Sequence, residues 1–438
     1  MISEDSVGSS PAGTAAKQSA GSALWHGQAV MSAVRRQRVT VVGGSGSYLR
    51  TSDGRRLLDA TAGLWHANVG HGRESIARAA YDQMCRLETY HLFGRFANEP
   101  ALRLADRLAA MGPVPGSKVF LTSGGSDAVD LACKLARRHW QLAGRPGKRV
   151  VVTRELAYHG LHAFGTSVGG LELNREGYGS PSLVPETARI PTHGLAAATA
   201  AIEAIGPDRI AAIVTEPVMG TGGVLAPEPG YLQGLAAVAA RYDILFIVDE
   251  VITGFGRTGV MFACERFGLQ PDMVLFAKGV TSGYAALGGV LVAPCVANQF
   301  FADDSMAIFR HGLTYMGHAT GCAVAEANLK VLEEEGLVAR AGELEAVLHQ
   351  AVQSLSGHPL VHEVRSGTGF LAGVQLKPHV SGDAVASACI ERGVAMRVIT
   401  ANTLQISPPF VVTDQEVATI ADVIAAALDG MLETLSSS

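Results

Sequence analysis

An α/β fold, with a doubly wound and mostly parallel sheet flanked by helices, is what this sequence predicts, and three observations carry the prediction. Apolar runs of strand length (RVVVT, IAAIV, LFIV and MVLFA) lack polar alternation, as strands buried on both faces require. Segments of helical periodicity separate these runs one by one, the pattern of parallel strands joined by crossover helices. The turns between them are rich in glycine, of which the whole chain has 51, and this suits tight passages from strand to helix.

Composition narrows the classes. Of 438 residues, 48% are hydrophobic and 17% charged, so the chain can bury a large core and is neither disordered nor fibrous. A net charge of −5 offers no basic face, which excludes nucleic-acid binding by backbone neutralisation. The six cysteines are too widely spaced for a CxxC metal site or a small disulfide framework, so a reducing, cytoplasmic setting is expected. No run of 18 apolar residues occurs, and the start lacks a basic-then-apolar signal.

In chain order, residues 1–23 are Ser, Gly and Ala with scattered polar groups and read as a disordered tail. VTVV and SYLRTSDGRRLLDA alternate about Asp53-Gly54 and predict a hairpin. A Gly-rich loop holding Trp65 precedes a helix over 74–87, and a second loop holds Phe93 before a helix over 100–111. After a strand over 118–122, Ser123 to Ser126 turn straight into a helix, so free N–H groups and the positive end of the helix dipole meet there and suit a phosphate. The strand over 149–153 leads to Tyr158, His159 and Gly160. A loop-rich stretch over 171–194, a helix over 195–205 and the IAAIV strand then lead to Glu216. His159 and His162 have no third partner suggestive of a metal.

The stretch Leu245 to Gly279 places Asp249 at the end of LFIV and Lys278 at the end of MVLFA. If those strands are parallel neighbours, both residues emerge at one carboxyl edge, where open α/β sheets bind ligands. A structural ion pair is one explanation. The other is pyridoxal phosphate, whose aldehyde needs a lysine and whose ring nitrogen needs an anion to keep it protonated.

DEVITGFGRTG followed by a strand and AKG resembles the signature of the class III pyridoxal phosphate-dependent aminotransferases, and the resemblance runs from about Trp25 to the C-terminus. It implies fold type I, with an N-terminal segment over 24–72 packing on a small domain, a large cofactor-binding domain over 73–320, and a linker helix with the small α+β domain over 321–438. It implies that Lys278 holds the cofactor and acts as general base and acid, that Asp249 keeps the ring nitrogen protonated, and that Tyr158 and Val251 sandwich the ring. Gly125 and Ser126 match the phosphate cup, His159 follows the stacking aromatic, and Glu216 gives support at a strand end. Thr314, in the His-Gly-x-Thr loop, is expected to reach the phosphate of a homodimer partner, although Ala319 stands where the family often has proline.

Two departures point to the substrates. Members that use glutamate carry an arginine three positions before the C-terminal Pro-Pro and a glutamate in EPxxGE; this chain has Gln405 and Thr221 there. Arg397 lies where the ω-amino acid:pyruvate transaminases, which the chain resembles, carry a mobile arginine, with Trp65 and Phe93 expected to wall the pocket. The expected reaction is therefore a two-step transfer from an amine or ω-amino acid to pyruvate or a similar 2-oxo acid. An aminomutase or decarboxylase would use the same lysine. A transcriptional sensor on this fold would need a DNA-binding module, for which the segment before Trp25 has no room.

Overall fold

The computed structural model describes residues 22–178 and 183–436, so the tail expected over 1–23 lies almost wholly outside the described residues. A three-stranded meander comes first: β1 (Val41–Ser45), β2 (Tyr48–Thr51) and β3 (Arg56–Asp59). The hairpin about Asp53-Gly54 is its second half. Its first half turns at Gly46, whose φ of 54° suits glycine, a strand pairing that the expected single hairpin did not include.

The large sheet holds seven strands: β4 (Lys118–Thr122), β5 (Val150–Arg154), β6 (Thr187–Ile190), β7 (Ile210–Thr215), β8 (Leu245–Asp249), β9 (Met273–Phe276) and β10 (Gly288–Val292). Their order is β4-β10-β9-β8-β7-β5-β6, parallel except for β10, which runs against both neighbours. β6 lies in the stretch expected to be loop. Its half-buried residues Thr187, Ala188 and Arg189 carry no apolar run, because a short edge strand needs none.

Alternation within the continuous apolar runs sorts side chains to two faces. Phe246, Val248, Val274 and Phe276 join one buried cluster, and Leu245, Ile247, Met273 and Leu275 join the other. Each such side chain contributes about 1.5–3 kcal/mol when fully buried. The helix Gly125–Leu142 lays Ala128, Ala132 and Ala136 on the second face, small residues that let it approach the strands closely.

The rest of the chain completes a second unit. The expected single linker helix is two, Ala319–Glu334 and Leu337–Gln353, split by Gly336 in the left-handed region (φ 62°). β11 (Val361–Arg365), β12 (Ala372–Leu376), β14 (Val398–Ile399) and β15 (Thr403–Ile406) form an antiparallel sheet in the order β11-β12-β15-β14. β13 (Val394–Ala395) instead pairs parallel with β3, so the N-terminal meander and the C-terminal part share a sheet. Helix Gly382–Glu391 packs on β13, β14 and β15, and helix Asp414–Ser436 packs on it and on Leu337–Gln353. Among the described residues, no helix is long and apolar enough to cross a membrane.

Candidate active site

Topology brings the candidate residues to one edge. β8 and β9 are parallel neighbours, with Asp249 opposite Leu275, so Asp249 and Lys278 leave the sheet side by side. β4 is antiparallel to β10, which is antiparallel to β9, so the turn after Thr122 opens at that same edge. β5 and β7 add Tyr158 and Glu216 just beyond their ends. A cavity of about 230 Å³ there is lined by Trp65, Gly125, Ser126, Tyr158, His159, Glu216, Asp249, Val251, Lys278 and Arg397, ten of the twelve candidates.

The acid is held firmly. Asp249 is buried, its Oδ2 accepts from His159 Nδ1 at 2.8 Å, and its Oδ1 accepts the Val251 N–H at 3.1 Å. A carboxylate has about four acceptor sites, so lone pairs remain for a further donor. Glu216 acts one layer back: it accepts the N–H groups of Tyr158 at 3.0 Å and Gly220 at 3.1 Å, and burial pushes its carboxyl up. Buried Arg154 donates to the Glu216 carbonyl, pinning the same strand end.

Lys278 opens a short 3-10 turn with φ 45°, an uncommon conformation of the kind found at functional sites. As a residue it is half-buried, yet loss of water around its amine pushes the pKa down to about 8, against the opposing pull of Asp249 and Glu216. Gly279 beside it is obligatory, since a Cβ would meet Asn68 Nδ2 at 2.6 Å.

The helix Gly125–Leu142 starts without a side-chain cap, leaving its first N–H groups to a guest. Two glycines shape this cradle. A Cβ on Gly125 would press Val251 Cγ1 at 3.0 Å, and one on Gly160 (φ 84°) would strike Ser126 Oγ at 2.4 Å.

The opposite wall is Trp65, 2% exposed, on a turn where Ala62, Gly63 and Trp65 all have positive φ. Lys278 Nζ lies 5.1 Å and Arg397 Cζ 4.8 Å from its ring centroid, within cation–π range. Burial lowers the Arg397 pKa, and its guanidinium has no hydrogen-bond or ion-pair partner among the described residues. Lys278 and Arg397 are the cationic side chains lining the cavity, and Thr221 lines it too.

Phe93 and Thr314 stand apart. Both are exposed and neither lines the cavity of its own chain, contrary to the expectation that Phe93 walls it. Phe93 lies instead against the loop that carries Thr314, since a Cβ on Gly312 would meet Phe93 Cζ at 2.7 Å. Gln28, Leu64, Val129, Gly160, Ile252 and Ala277 complete the lining. Ile252 follows Val251 in the central motif, whereas Gln28 arrives from a segment without periodicity and carried no signal.

Comparison with known proteins identifies the family. A family model described as aminotransferase class-III matches residues 30–428. The putrescine–pyruvate aminotransferase of Pseudomonas aeruginosa is 36% identical over 400 residues, 85% of this chain and 86% of that protein. The diaminobutyrate–2-oxoglutarate transaminase of Halomonas elongata is 34% identical over 409 residues, 86% of this chain and 87% of that protein. Among solved structures, the omega-transaminase of Pseudomonas jessenii in complex with PMP matches with a TM-score of 0.88 at 32% identity, covering 94% of this chain and 97% of that one. The names of the two relatives carry different acceptors, so names alone do not choose between them.

Proposed function

We propose that this chain, which belongs to the class III aminotransferases and works with pyridoxal phosphate, moves an amino group from an amine or ω-amino acid to pyruvate or a similar small 2-oxo acid in two half-reactions. The observation that carries the acceptor choice is Arg397, the guanidinium in the cavity wall without an anionic partner. Thr221 faces the same cavity in place of a carboxylate that could neutralise it, and buried Gln405 supplies no second cation. One unpaired arginine suits one carboxylate.

The residues present fit the cofactor. Bound there, pyridoxal phosphate supplies an aldehyde that takes up the amine and a protonated ring that accepts electrons. The uncapped helix start at Gly125 and Ser126 holds the phosphate, with Gly125 and Gly160 giving the backbone room. Asp249, oriented by His159, keeps the ring-nitrogen proton in place, and Tyr158 and Val251 flank the ring. Glu216 holds the Tyr158 backbone in register. Lys278 would carry the cofactor in the resting enzyme and, as a free amine, would serve as the base and acid that holds and returns the proton.

The working unit on this reading is a cytoplasmic homodimer. Thr314 is exposed and outside its own cavity, and Phe93 against the same loop and Tyr315 next in the chain are 46% and 64% exposed, which supports a loop that meets the partner's site.

Incubation with a carboxylate-free primary amine and pyruvate should yield alanine and the matching carbonyl product in equal amounts. Release of carbon dioxide, or an isomeric amine with no carbonyl product, would point to a decarboxylase or mutase instead. Losing a charge-assisted contact costs roughly 1.5–3 kcal/mol, so Arg397→Ala should raise the pyruvate KM about tenfold or more while sparing the amine. Equal losses for both substrates would remove Arg397 from the carboxylate site.

A further inference from the structure

Gln405 is fully buried near the end of β15 and does not line the cavity, yet it reaches the turn that carries Trp65. The Thr61 carbonyl accepts three donors: the Trp65 N–H at 3.2 Å, Ser407 Oγ at 3.3 Å and Gln405 Nε2 at 3.4 Å. Gln405 Nε2 also donates to Ser407 Oγ at 2.7 Å, and the Ser407 N–H closes on the Ala60 carbonyl at 2.7 Å, so the strand end is zipped to residues 60 and 61. From the other side, Asp59 Oδ1 and Oδ2 accept the N–H groups of Thr61 at 3.0 Å and Gly63 at 2.9 Å.

That double anchorage has a strained segment to hold. Ala62 and Trp65 have φ of 45° and 59°, conformations that cost about 1–3 kcal/mol each and persist only where the surroundings over-determine them. What the turn presents is the Trp65 face, on which Arg397 Cζ lies 4.8 Å from the ring centroid. A guanidinium stacked on an aromatic ring keeps its edge donors free for a carboxylate.

We propose that Gln405 is a positioning residue for acceptor binding: through the Thr61 carbonyl it holds the Trp65 turn, and through the Trp65 face it places Arg397 to receive a small 2-oxo acid. This rests on the reading of Arg397 as the carboxylate partner. It gives Gln405 a part in placing that arginine from outside the pocket.

A double-mutant cycle on the cofactor-loaded enzyme tests it. Gln405→Leu should raise the pyruvate KM about tenfold, within the range of contact-dependent couplings, and raise it more than the KM of a carboxylate-free amine. In a Trp65→Ala background the same substitution should change the pyruvate KM less than about twofold, because the path is already cut. Effects that multiply, or a Gln405→Leu loss that falls equally on both substrates, would overturn the proposal. Should Gln405→Leu not fold, Gln405→Glu keeps the shape but replaces the donor, and the same two criteria decide. Equal turnover of 2-oxoglutarate and pyruvate by the unmutated enzyme is a separate failure; it would remove the acceptor reading and this proposal with it.

Discussion

A lysine can attack an aldehyde only as the free amine, and Lys278 is held near the pH where that form appears. Burial draws its pKa from 10.5 down to about 8, so the rate at which the apoenzyme takes up pyridoxal phosphate should rise with pH and level off above about 8, read as growth of the visible band. A rate still climbing at pH 10 would show an ordinary amine. The sign for stability runs the same way. Between about 8 and 10.5 the unfolded chain binds the extra proton, so this group's contribution to apoenzyme stability grows with pH across that window. Asp249→Asn keeps the shape but removes the anion; it should bind cofactor yet lose roughly a thousandfold in turnover, the scale seen when a preorganised electrostatic partner is lost. Near-native turnover would mean another group holds the ring proton. Lys278 and Asp249 were legible because each closes an apolar run within one ordered motif. Their neighbours in that motif were not. Glu250 is buried to accept the N–H groups of Ala263 at 2.9 Å and Cys264 at 2.7 Å, and Arg257 is buried donating to Asn68 Oδ1 and the carbonyls of Phe370 and Pro408. Such partners come from distant segments, and spacing along the chain does not announce them.

At the scale of elements, the site depends on a turn that only glycine tolerates. Gly160 sits at φ 84° with Ser126 pressed against it, so Gly160→Ala should push the helix start out of line and weaken cofactor affinity by about tenfold or more, measured by titrating the apoenzyme. Unchanged affinity would show that the helix start does not hold the phosphate. Elements with strong periodicity were readable: the strands ending at Thr122, Thr215 and Asp249 and the helix Gly125–Leu142 lie close to where the apolar runs place them. β6, β13 and β14 were not. β6 is a half-buried edge, and β13 and β14 have two residues each, so their pairing is decided by neighbours rather than by their own pattern. The positive φ of Trp65 was equally hidden, because non-glycine residues enter that region only under tertiary constraint.

For the whole molecule, two chains are needed if Thr314 completes the partner's site. Homodimers of Lys278→Ala should be inactive and those of Thr314→Ala weak in phosphate binding. Co-expressed chains, one bearing each substitution, should recover activity, because the mixed dimer pairs an intact Lys278 with an intact Thr314 from the other chain. Failure to recover activity in isolated mixed dimers would place Thr314 in its own chain's site or in none. That expectation rests on resemblance alone, since nothing in composition or periodicity says which exposed loop would cross an interface. The shared edge that carries Asp249 and Lys278, by contrast, follows from strand order alone. The account as a whole turns on what the loaded enzyme gives its amino group to. Enzyme first charged with a donor amine, freed of excess donor and mixed in a stopped-flow instrument with one acceptor at a time should regain its visible band rapidly with pyruvate and slowly with 2-oxoglutarate. Rapid recovery with 2-oxoglutarate and none with pyruvate would contradict it.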